Sequence, residues 1–372
     1  MNEKDIRSIH DGPFKIVFVS SGGGSSAISD LLKVPGASQT ILESYIPYSR
    51  ESMDEYLGMK PNYYCGLQTT INMAVTAFSR SKKLAPEVDS SNLLGVAVTA
   101  TLSTTYEKLG SHRFFICIHG FNATHVISCY LTKGKRTREN EEKLVTECLE
   151  SLIAIACGVG NELPKLTQQI HYEVVKSKPE WHALEKQEIT MVNSDLQSTK
   201  LIFPGTFNPL HKGHIKIQEI AEKMTNMPAT YEISITNVEK TFLSYFEIKE
   251  ILDQFGSDDR WVLTNAPTFA DKARIFHDST FILGVDTLTR IFDKKFYGSK
   301  SQLLKTLEEF NAYNANFLVF GRQIDDAYKT LDQFSLPSNL MDRFVGVSES
   351  QFRLDISSRD IKKHQEESKV TA

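Results

Sequence analysis

The sequence predicts a two-domain α/β protein, and three observations support this prediction. The chain has 372 residues, which is more than one ordinary hydrophobic core organises. Hydrophobic residues make up 41% and charged residues 24%, which is a globular composition. In both halves, short apolar β-branched runs alternate with segments of helical apolar spacing, which predicts mainly parallel sheets covered by helices. We expect domains at 13–160 and 199–365, a connector at 161–198 and a frayed tail at 366–372.

Charge and cysteine content exclude several classes of protein. The 42 Lys and Arg residues against 46 Asp and Glu give a net charge of −4, which argues against a dedicated nucleic-acid binder. The sequence contains no apolar run near the ~20 residues that span a bilayer, and its start has no apolar leader. Its 5 cysteines form no CxxC pair, as is usual in a reducing compartment. We expect a soluble protein of the cytoplasm or nucleus that binds neither nucleic acid nor membrane.

The first half begins as strand, turn and helix. A strand is predicted at 15–19, followed by a Ser- and Gly-rich turn at 20–26 and a helix. Two further strands are predicted at 93–100 and 114–119, and a helix at 141–157. The polar segment before residue 199 is interpreted as a connector with some local structure of its own, or else as a last strand and helix of the first domain.

The second half repeats the α/β pattern. A strand at 201–203 leads into a turn cluster at 204–209, and His214 opens a helical pattern. Further strands are predicted at 231–238, 261–263, 280–285 and 317–320. Ligands of such sheets bind at the carboxyl ends of the strands.

The segment Gly205-Thr206-Phe207-Asn208-Pro209-Leu210-His211-Lys212-Gly213-His214 is the most informative part of the chain. It places a tight turn after a strand and two histidines at a helix N-terminus. Unpaired N–H groups and the helix dipole attract phosphate there, and Gly213 permits a close approach. Two imidazoles can donate hydrogen bonds to a triphosphate and to charge that develops during transfer. The alternatives are a metal-binding histidine pair or a simple helix cap.

This segment resembles the HxGH nucleotidyltransferase superfamily, whose pattern is GxFxPxHxGH. All of its fixed positions are present: Gly205, Phe207, Pro209, His211, Gly213 and His214. The resemblance implies a Rossmann-like domain with a parallel sheet. It further implies that Gly205, Thr206 and Phe207 form a nucleotide-binding turn, and that His211 and His214 stabilise the triphosphate and the transition state.

A second signature of that superfamily, ISSTxIR, is similar to 356–362. The resemblance assigns phosphate contacts to Ser357, Ser358 and Arg359. Arg359 stands where the family has Thr, and Lys362 stands where it has Arg. Positive charge is kept there, although Lys lacks the bidentate fork of Arg.

Two more segments resemble the nicotinate/nicotinamide mononucleotide adenylyltransferase branch. In 234–240, Lys240 takes the position of a phosphate-binding lysine, and in 281–287, Gly284 and Asp286 match a GxD turn that contacts base or ribose. Arg322 matches a further arginine weakly, and Trp261 is either a ring-stacking residue or a core residue. The branch joins ATP to a pyridine mononucleotide and releases pyrophosphate. Mg²⁺ is expected with ATP, held by substrate oxygens and water, with no protein metal ligands.

The segments at 34–38 and 45–51 resemble the CinA C-terminal family of nicotinamide-nucleotide amidohydrolases. That family uses a serine, a tyrosine and a lysine, which fall here on Ser38, Tyr48 and Met53. A methionine cannot take up a proton, so we expect a CinA-like α/β domain whose amidase activity is lost. A homo-oligomer is expected because both families commonly assemble.

Two rival hypotheses stay open at this point. The first keeps the superfamily but changes the substrates, with another acceptor such as phosphopantetheine, or CTP in place of ATP. The second is a non-catalytic sensor or scaffold that binds a pyridine nucleotide, which the departures at Met53, Arg359 and Lys362 favour.

Overall fold

The computed structural model describes residues 1–106, 108–164, 170–194, 199–236, 242–292, 299–324, 327–354 and 361. The chain divides into two compact units. As far as they are described, the first unit comprises Met1–Ser177 with Glu239–Glu247, and the second comprises Lys178–Val238 with Ile248–Ala372.

The first unit contains one six-stranded sheet with helices packed against it. Its strands are β1 Lys15–Ser21, β2 Ile41–Tyr45, β3 Leu93–Thr101, β4 His112–Gly120, β5 Ala123–Leu131 and β6 Ile170–Lys176. Its helices are α1 Glu3–His10, α2 Ser25–Lys33, α3 Arg50–Leu57, α4 Leu67–Leu84 and α5 Arg138–Ala156. The strand order is β2-β1-β3-β4-β5-β6. β1 pairs with β2 and β3 in parallel, whereas β3 to β6 pair antiparallel.

Burial explains why the central strands of this sheet were predictable. Eight of the nine residues of β3 are buried, as expected for a strand covered on both faces. One large apolar cluster joins β1, β3 and β4 to α2 and α5, whose apolar residues recur at helical spacing.

Most residues from 178 onward form a second α/β layer structure, although the segment Glu239–Glu247 is assigned to the first unit. Its strands are β7 Met191–Asn193, β8 Leu201–Pro204, β9 Ala229–Ser234, β10 Trp261–Thr264, β11 Thr280–Gly284, β12 Asn316–Phe320, β13 Arg322–Ile324, β14 Ala327–Lys329 and β15 Phe344–Val347. Its helices are α6 Pro179–Glu185, α7 Lys212–Thr225, α8 Tyr245–Leu252, α9 Phe269–Ile275, α10 Val285–Phe292 and α11 Lys300–Ala312.

The strand order of the second sheet indicates where a ligand would bind. The order is β15-β12-β11-β8-β9-β10-β7, with every pairing parallel except that of β7 with β10. The chain therefore winds in one direction from β8 through β9 to β10, and in the other from β11 through β12 to β15. The change of direction lies between β8 and β11, and crevices at such points are where open parallel sheets bind ligands.

The segment 161–198, interpreted as a connector with some local structure or as a last strand and helix of the first domain, contains a strand, a helix and a second, short strand. β6 is the edge strand of the first sheet, while α6 and β7 belong to the second unit. Composition did not indicate them because an edge strand and a three-residue strand need no continuous apolar run. The strand predicted at 231–238 ends at Ser234. The tail at 366–372 lies outside the described residues.

Two further findings concern the chain as a whole. In the part of the chain that the structure describes, no helix is long and apolar enough to cross a membrane. The 5 cysteines are free thiols: Cys65, Cys117, Cys129, Cys148 and Cys157. All but Cys65 are buried, where they pack as small apolar side chains.

Candidate functional site

The turn that follows β8 is built around the ring of Phe207. Phe207 has a positive φ of 43°, and its side chain is only 2% exposed. The ring lies under Gly205, so a Cβ at that position would be 2.6 Å from Cζ of Phe207. It also packs edge-on against Phe203 and His214, with centroids 5.2 Å and 5.0 Å apart. Phe207 therefore contributes its main chain to the turn, while its ring supports a histidine from below.

The two histidines cap α7 with their imidazole rings. His211 is the N-cap residue, and its Nδ1 accepts a hydrogen bond from the Gly213 N–H at 3.1 Å. The Nδ1 of His214 accepts from the His211 N–H at 3.3 Å. A neutral imidazole carries one proton, and a nitrogen that accepts from an N–H cannot hold it. Both rings therefore carry their proton on Nε2, which makes each Nε2–H a hydrogen-bond donor.

The environment keeps both imidazoles neutral. The two rings stack with centroids 3.7 Å apart and planes inclined by 19°. Burial, then the neighbouring His211 and Arg322, lower the pKa of His214 to about 3. Burial and the Arg322 charge also lower the pKa of His211. At neutral pH the site therefore presents two uncharged donors.

The N-terminus of α7 does not present the unpaired backbone N–H groups that the sequence predicts. The N–H of Gly213 is bound to the His211 ring, and the N–H groups of His214 and Ile215 donate to the His211 carbonyl. These groups are satisfied within the first turn, so they are not open to an anion. A phosphate here would meet Nε2–H groups.

An ion pair lines the same crevice as the histidines. Nη1 of Arg322 lies 3.3 Å from Oδ2 of Asp286, and Nη2 of Arg290 lies 3.8 Å from the same oxygen. The Asp286 carboxylate folds back over the end of β11, where a Cβ on Gly284 would be 2.5 Å from its Oδ1. The predicted GxD pair is thus brought together, with Asp286 facing guanidinium groups.

These residues line one cavity of about 670 Å³. It lies where β8, β11 and β12 end, and its lining includes the predicted Gly205, Thr206, Phe207, His211, Gly213, His214, Gly284 and Asp286. Arg290 and Arg322 also line it. The predicted Lys240, Ser357, Ser358 and Arg359, and also Lys362, lie outside the described residues.

Trp261 is not part of this cavity. It is the first residue of β10, whereas the crevice is at the carboxyl ends of the strands, and it is absent from the described residues that line the cavity. Asn265, which follows β10, donates its side-chain amide to the carbonyls of Leu184 and Glu185. Neither Trp261 nor Asn265 belongs to the described lining of the cavity.

Sequence reasoning missed two residues of this site. Arg290 lies four residues after Asp286, and this helical spacing was a usable signal. Gln254 bonds the turn between β8 and α7 from 44 residues away in sequence, and no local pattern points to it.

The described residues that line the cavity include few side chains that could coordinate a metal ion. Among the residues that the structure describes, no group of three or more His, Cys, Asp and Glu side chains is placed to hold one. Asp286 is the carboxylate in the described lining, and it faces two arginines. This set fits a magnesium ion that arrives with a triphosphate and is held by substrate oxygens and water.

In the first unit, the three CinA-derived positions lie in different surroundings. Ser38 is exposed in the 3-10 turn Ala37–Gln39, and Tyr48 is 69% exposed. Met53 is 1% exposed within α3, so the position of the family's lysine is a core position here.

The glycine-rich turn of the first unit is filled by a side chain of the same unit. The Glu142 carboxylate accepts from the Gly24 N–H at 2.9 Å and from the Ser26 N–H at 3.4 Å. It occupies the N-terminus of α2, where an anion would otherwise be favoured.

Comparison with known proteins agrees with the resemblance found in the second half. Residues 202–364 match the family model described as cytidylyltransferase-like. The expectation of an HxGH nucleotidyltransferase domain is confirmed by this match. No curated protein matches the chain.

The N-terminal part of the chain is similar to solved CinA-type structures. The competence/damage-inducible protein CihA of Agrobacterium tumefaciens is 20% identical, covers 41% of this chain and 94% of its own, and gives a TM-score of 0.33. A competence or damage-inducible protein of Enterobacter asburiae is 16% identical over 41% and 95%, with a TM-score of 0.34. A CinA-superfamily protein of Enterobacter cloacae is 15% identical over 41% and 89%, with a TM-score of 0.33.

Proposed function

We propose that the cytidylyltransferase-like domain of this chain transfers an adenylyl group from ATP to a pyridine mononucleotide, either nicotinamide or nicotinate mononucleotide. The products are a dinucleotide and pyrophosphate. The observation that carries the proposal is a stacked pair of imidazoles whose Nδ1 atoms both accept backbone N–H bonds, beside a cavity at the switch point of the sheet. This arrangement assigns the proton of each neutral ring to Nε2.

The proposed reaction is one displacement at phosphorus. A phosphate oxygen of the mononucleotide attacks the α-phosphorus of ATP and forms a new P–O bond. The bond from that phosphorus to the oxygen bridging the α- and β-phosphates breaks, and its electron pair leaves on pyrophosphate. Mg²⁺, when bound with ATP, neutralises part of the triphosphate charge.

The protein's part in this proposal is to hold and stabilise the reacting groups. The Nε2–H groups of His211 and His214 donate to phosphate oxygens, where charge develops in the transition state. The Arg322 guanidinium supplies positive charge within the same cavity. Because the imidazoles are preorganised by backbone hydrogen bonds, the donors need little rearrangement when ATP binds.

We also propose that the first unit hydrolyses no amide. Met53 offers no proton acceptor and is buried, and Glu142 fills the glycine-rich turn. Purified protein should release no ammonia from nicotinamide mononucleotide, and ammonia release that persists in the His211→Ala variant would contradict this. A reducing compartment such as the cytoplasm is proposed, where the free thiols stay reduced.

The deciding experiment is dinucleotide formation by the full chain with Mg²⁺, ATP and either mononucleotide. The rate of the His211→Ala variant should be about 10²- to 10³-fold lower, which is typical for removing one hydrogen-bond donor to the transition state. His171→Ala changes a histidine that is 75% exposed in the first unit and should leave the rate unchanged. Parallel reactions with CTP, and with phosphopantetheine as acceptor, test the other substrates of the superfamily.

The outcomes separate the rival functions. Product from ATP and a pyridine mononucleotide supports the proposal, and product with CTP or phosphopantetheine alone overturns it in favour of another transfer reaction. Binding of a pyridine nucleotide by the wild-type protein, with no product from any pair, favours a sensor or scaffold.

A further inference from the structure

We propose that Gln254 is a positioning residue, whose side-chain amide fixes the turn between β8 and α7 and thereby both imidazoles. Its catalytic consequence rests on the function proposed above. Its structural consequence, the placement of two histidine rings, does not.

The contacts of Gln254 use both ends of its amide on one turn. Nε2 donates to the carbonyl oxygen of Phe207 at 2.9 Å. The N–H of Leu210 donates to Oε1 at 2.7 Å. Both distances are those of well-formed hydrogen bonds, and the side chain is half-buried. One amide therefore joins two main-chain groups that lie three residues apart.

We call the two hydrogen bonds that join Gln254 to Phe207 and Leu210 the clamp, and each of them reaches a residue that contacts or precedes one of the histidines. Leu210 directly precedes His211, whose own N–H donates to Nδ1 of His214. At the other end, the Phe207 ring packs edge-on against the His214 ring at 5.0 Å. A shift of the turn therefore moves both Nε2–H donors. A displacement of about 1 Å of reacting groups costs on the order of 100-fold in rate.

The clamp requires a neutral group that both donates and accepts. A carboxylate at this position accepts from the Leu210 N–H, but it has no proton for the Phe207 carbonyl and repels that oxygen. A protonated carboxyl group restores the missing donor with the same shape. Charged neighbours on the adjoining segment are already engaged, since Lys249 binds Asp253 and Asp259 accepts from the Gly256 N–H.

The kinetic test compares Gln254→Glu, Gln254→Ala and the matched control Gln333→Glu. Gln333 is exposed, lies in the 3-10 turn Leu331–Gln333 and is absent from the described lining of the cavity. At pH 8 we expect kcat of both Gln254 variants to fall roughly 100-fold while KM for ATP changes by less than ~3-fold. As the pH falls towards about 4.5, near the ordinary pKa of a glutamate, Gln254→Glu should recover relative to the wild type, and Gln254→Ala should not. Gln333→Glu should follow the wild type throughout.

A second measurement is independent of activity. Imidazole ¹⁵N resonances of His211 and His214, recorded without substrate, should move in Gln254→Ala and in Gln254→Glu at pH 8. They should return towards the wild-type positions recorded at the same pH in Gln254→Glu at about pH 4.5, where much of the carboxyl group is protonated.

The two measurements keep the proposals apart. Wild-type kinetics in Gln254→Ala, unmoved histidine resonances, or equal losses in Gln254→Glu at every pH would each overturn the role of Gln254. A wild-type protein that makes no dinucleotide overturns the proposed function. In that case the histidine ¹⁵N resonances alone test whether Gln254 positions the two imidazoles.

Discussion

Nη1 of Arg322 lies 3.3 Å from Oδ2 of Asp286, and the two residues follow neighbouring parallel strands of the second sheet. Both side chains are a third or more exposed, so the pair adds little to folding stability. Its effect is local. It fixes a guanidinium group in the cavity that the two imidazoles line, and it offsets a carboxylate that would otherwise repel a polyanion.

Removing the Arg322 charge should raise the pKa of both histidines. A nearby positive charge disfavours protonation, and Arg322 contributes to the lowered pKa of His211 and of His214. In Arg322→Gln, NMR titration should place the His211 pKa closer to its ordinary value of about 6.5. Arg290→Gln removes a guanidinium that does not contribute to these shifts, and it should leave both values unchanged. An unaltered titration of His211 in Arg322→Gln would contradict the assigned cause.

Gly205→Ala should destabilise the second unit. The added Cβ would lie 2.6 Å from the buried ring of Phe207, and overpacking of this kind costs about 1–3 kcal/mol. Gly256→Ala is the control, because its Cβ would meet Asp259 at an ordinary 3.6 Å. Urea unfolding of the two variants measures the difference, and equal midpoints would show that the turn yields without strain.

Lys272→Met should be strongly destabilising. The Nζ atom of Lys272 lies 2.8 Å from the Glu232 carboxylate, and the two side chains are 7% and 0% exposed. Removing the lysine leaves a buried charge unpaired, which costs about 3–5 kcal/mol. Adding Glu232→Gln should recover part of the loss, because the remaining buried group is neutral. Lys216→Met breaks an exposed pair with Glu219 and should cost less than ~1 kcal/mol. A similarly small loss in Lys272→Met would refute the prediction.

His119 should make the first unit less stable in acid. Burial, with a smaller effect of Lys82, lowers the pKa of His119 to about 3. The unfolded chain takes up a proton near pH 6.5 that the folded chain does not. Stability is therefore full above that pH and falls between 6.5 and about 3, by roughly 1.4 kcal/mol per pH unit. His119→Gln removes this proton uptake, so urea unfolding at pH 7 and pH 5 should differ less than in the wild type.

The parts of the fold that follow from sequence are those with a strong local signal. β3 and β11 were predicted within one residue of their bounds because each is a continuous apolar run that is buried in its sheet. β2 and β6 are edge strands with few buried residues, so neither forms the continuous apolar run that identified the central strands.

The candidate site divides in the same way. His211, His214, Gly284 and Asp286 stand in short motifs, and the sheet brings them to one cavity. The proton positions on the histidines depend on backbone geometry, which no residue pattern encodes. Gln254 acts over 44 residues of sequence, so its contact exists only after the sheet and α8 have packed.

The way the imidazoles are oriented has a consequence for the ligands that the cavity admits. Histidines in protein sites are commonly oriented by a carboxylate, which brings a full negative charge beside the ring. Here neutral peptide N–H groups perform that task for both rings. The two imidazole rings are therefore oriented without a carboxylate beside them. A bound phosphate is not repelled by the groups that orient these rings.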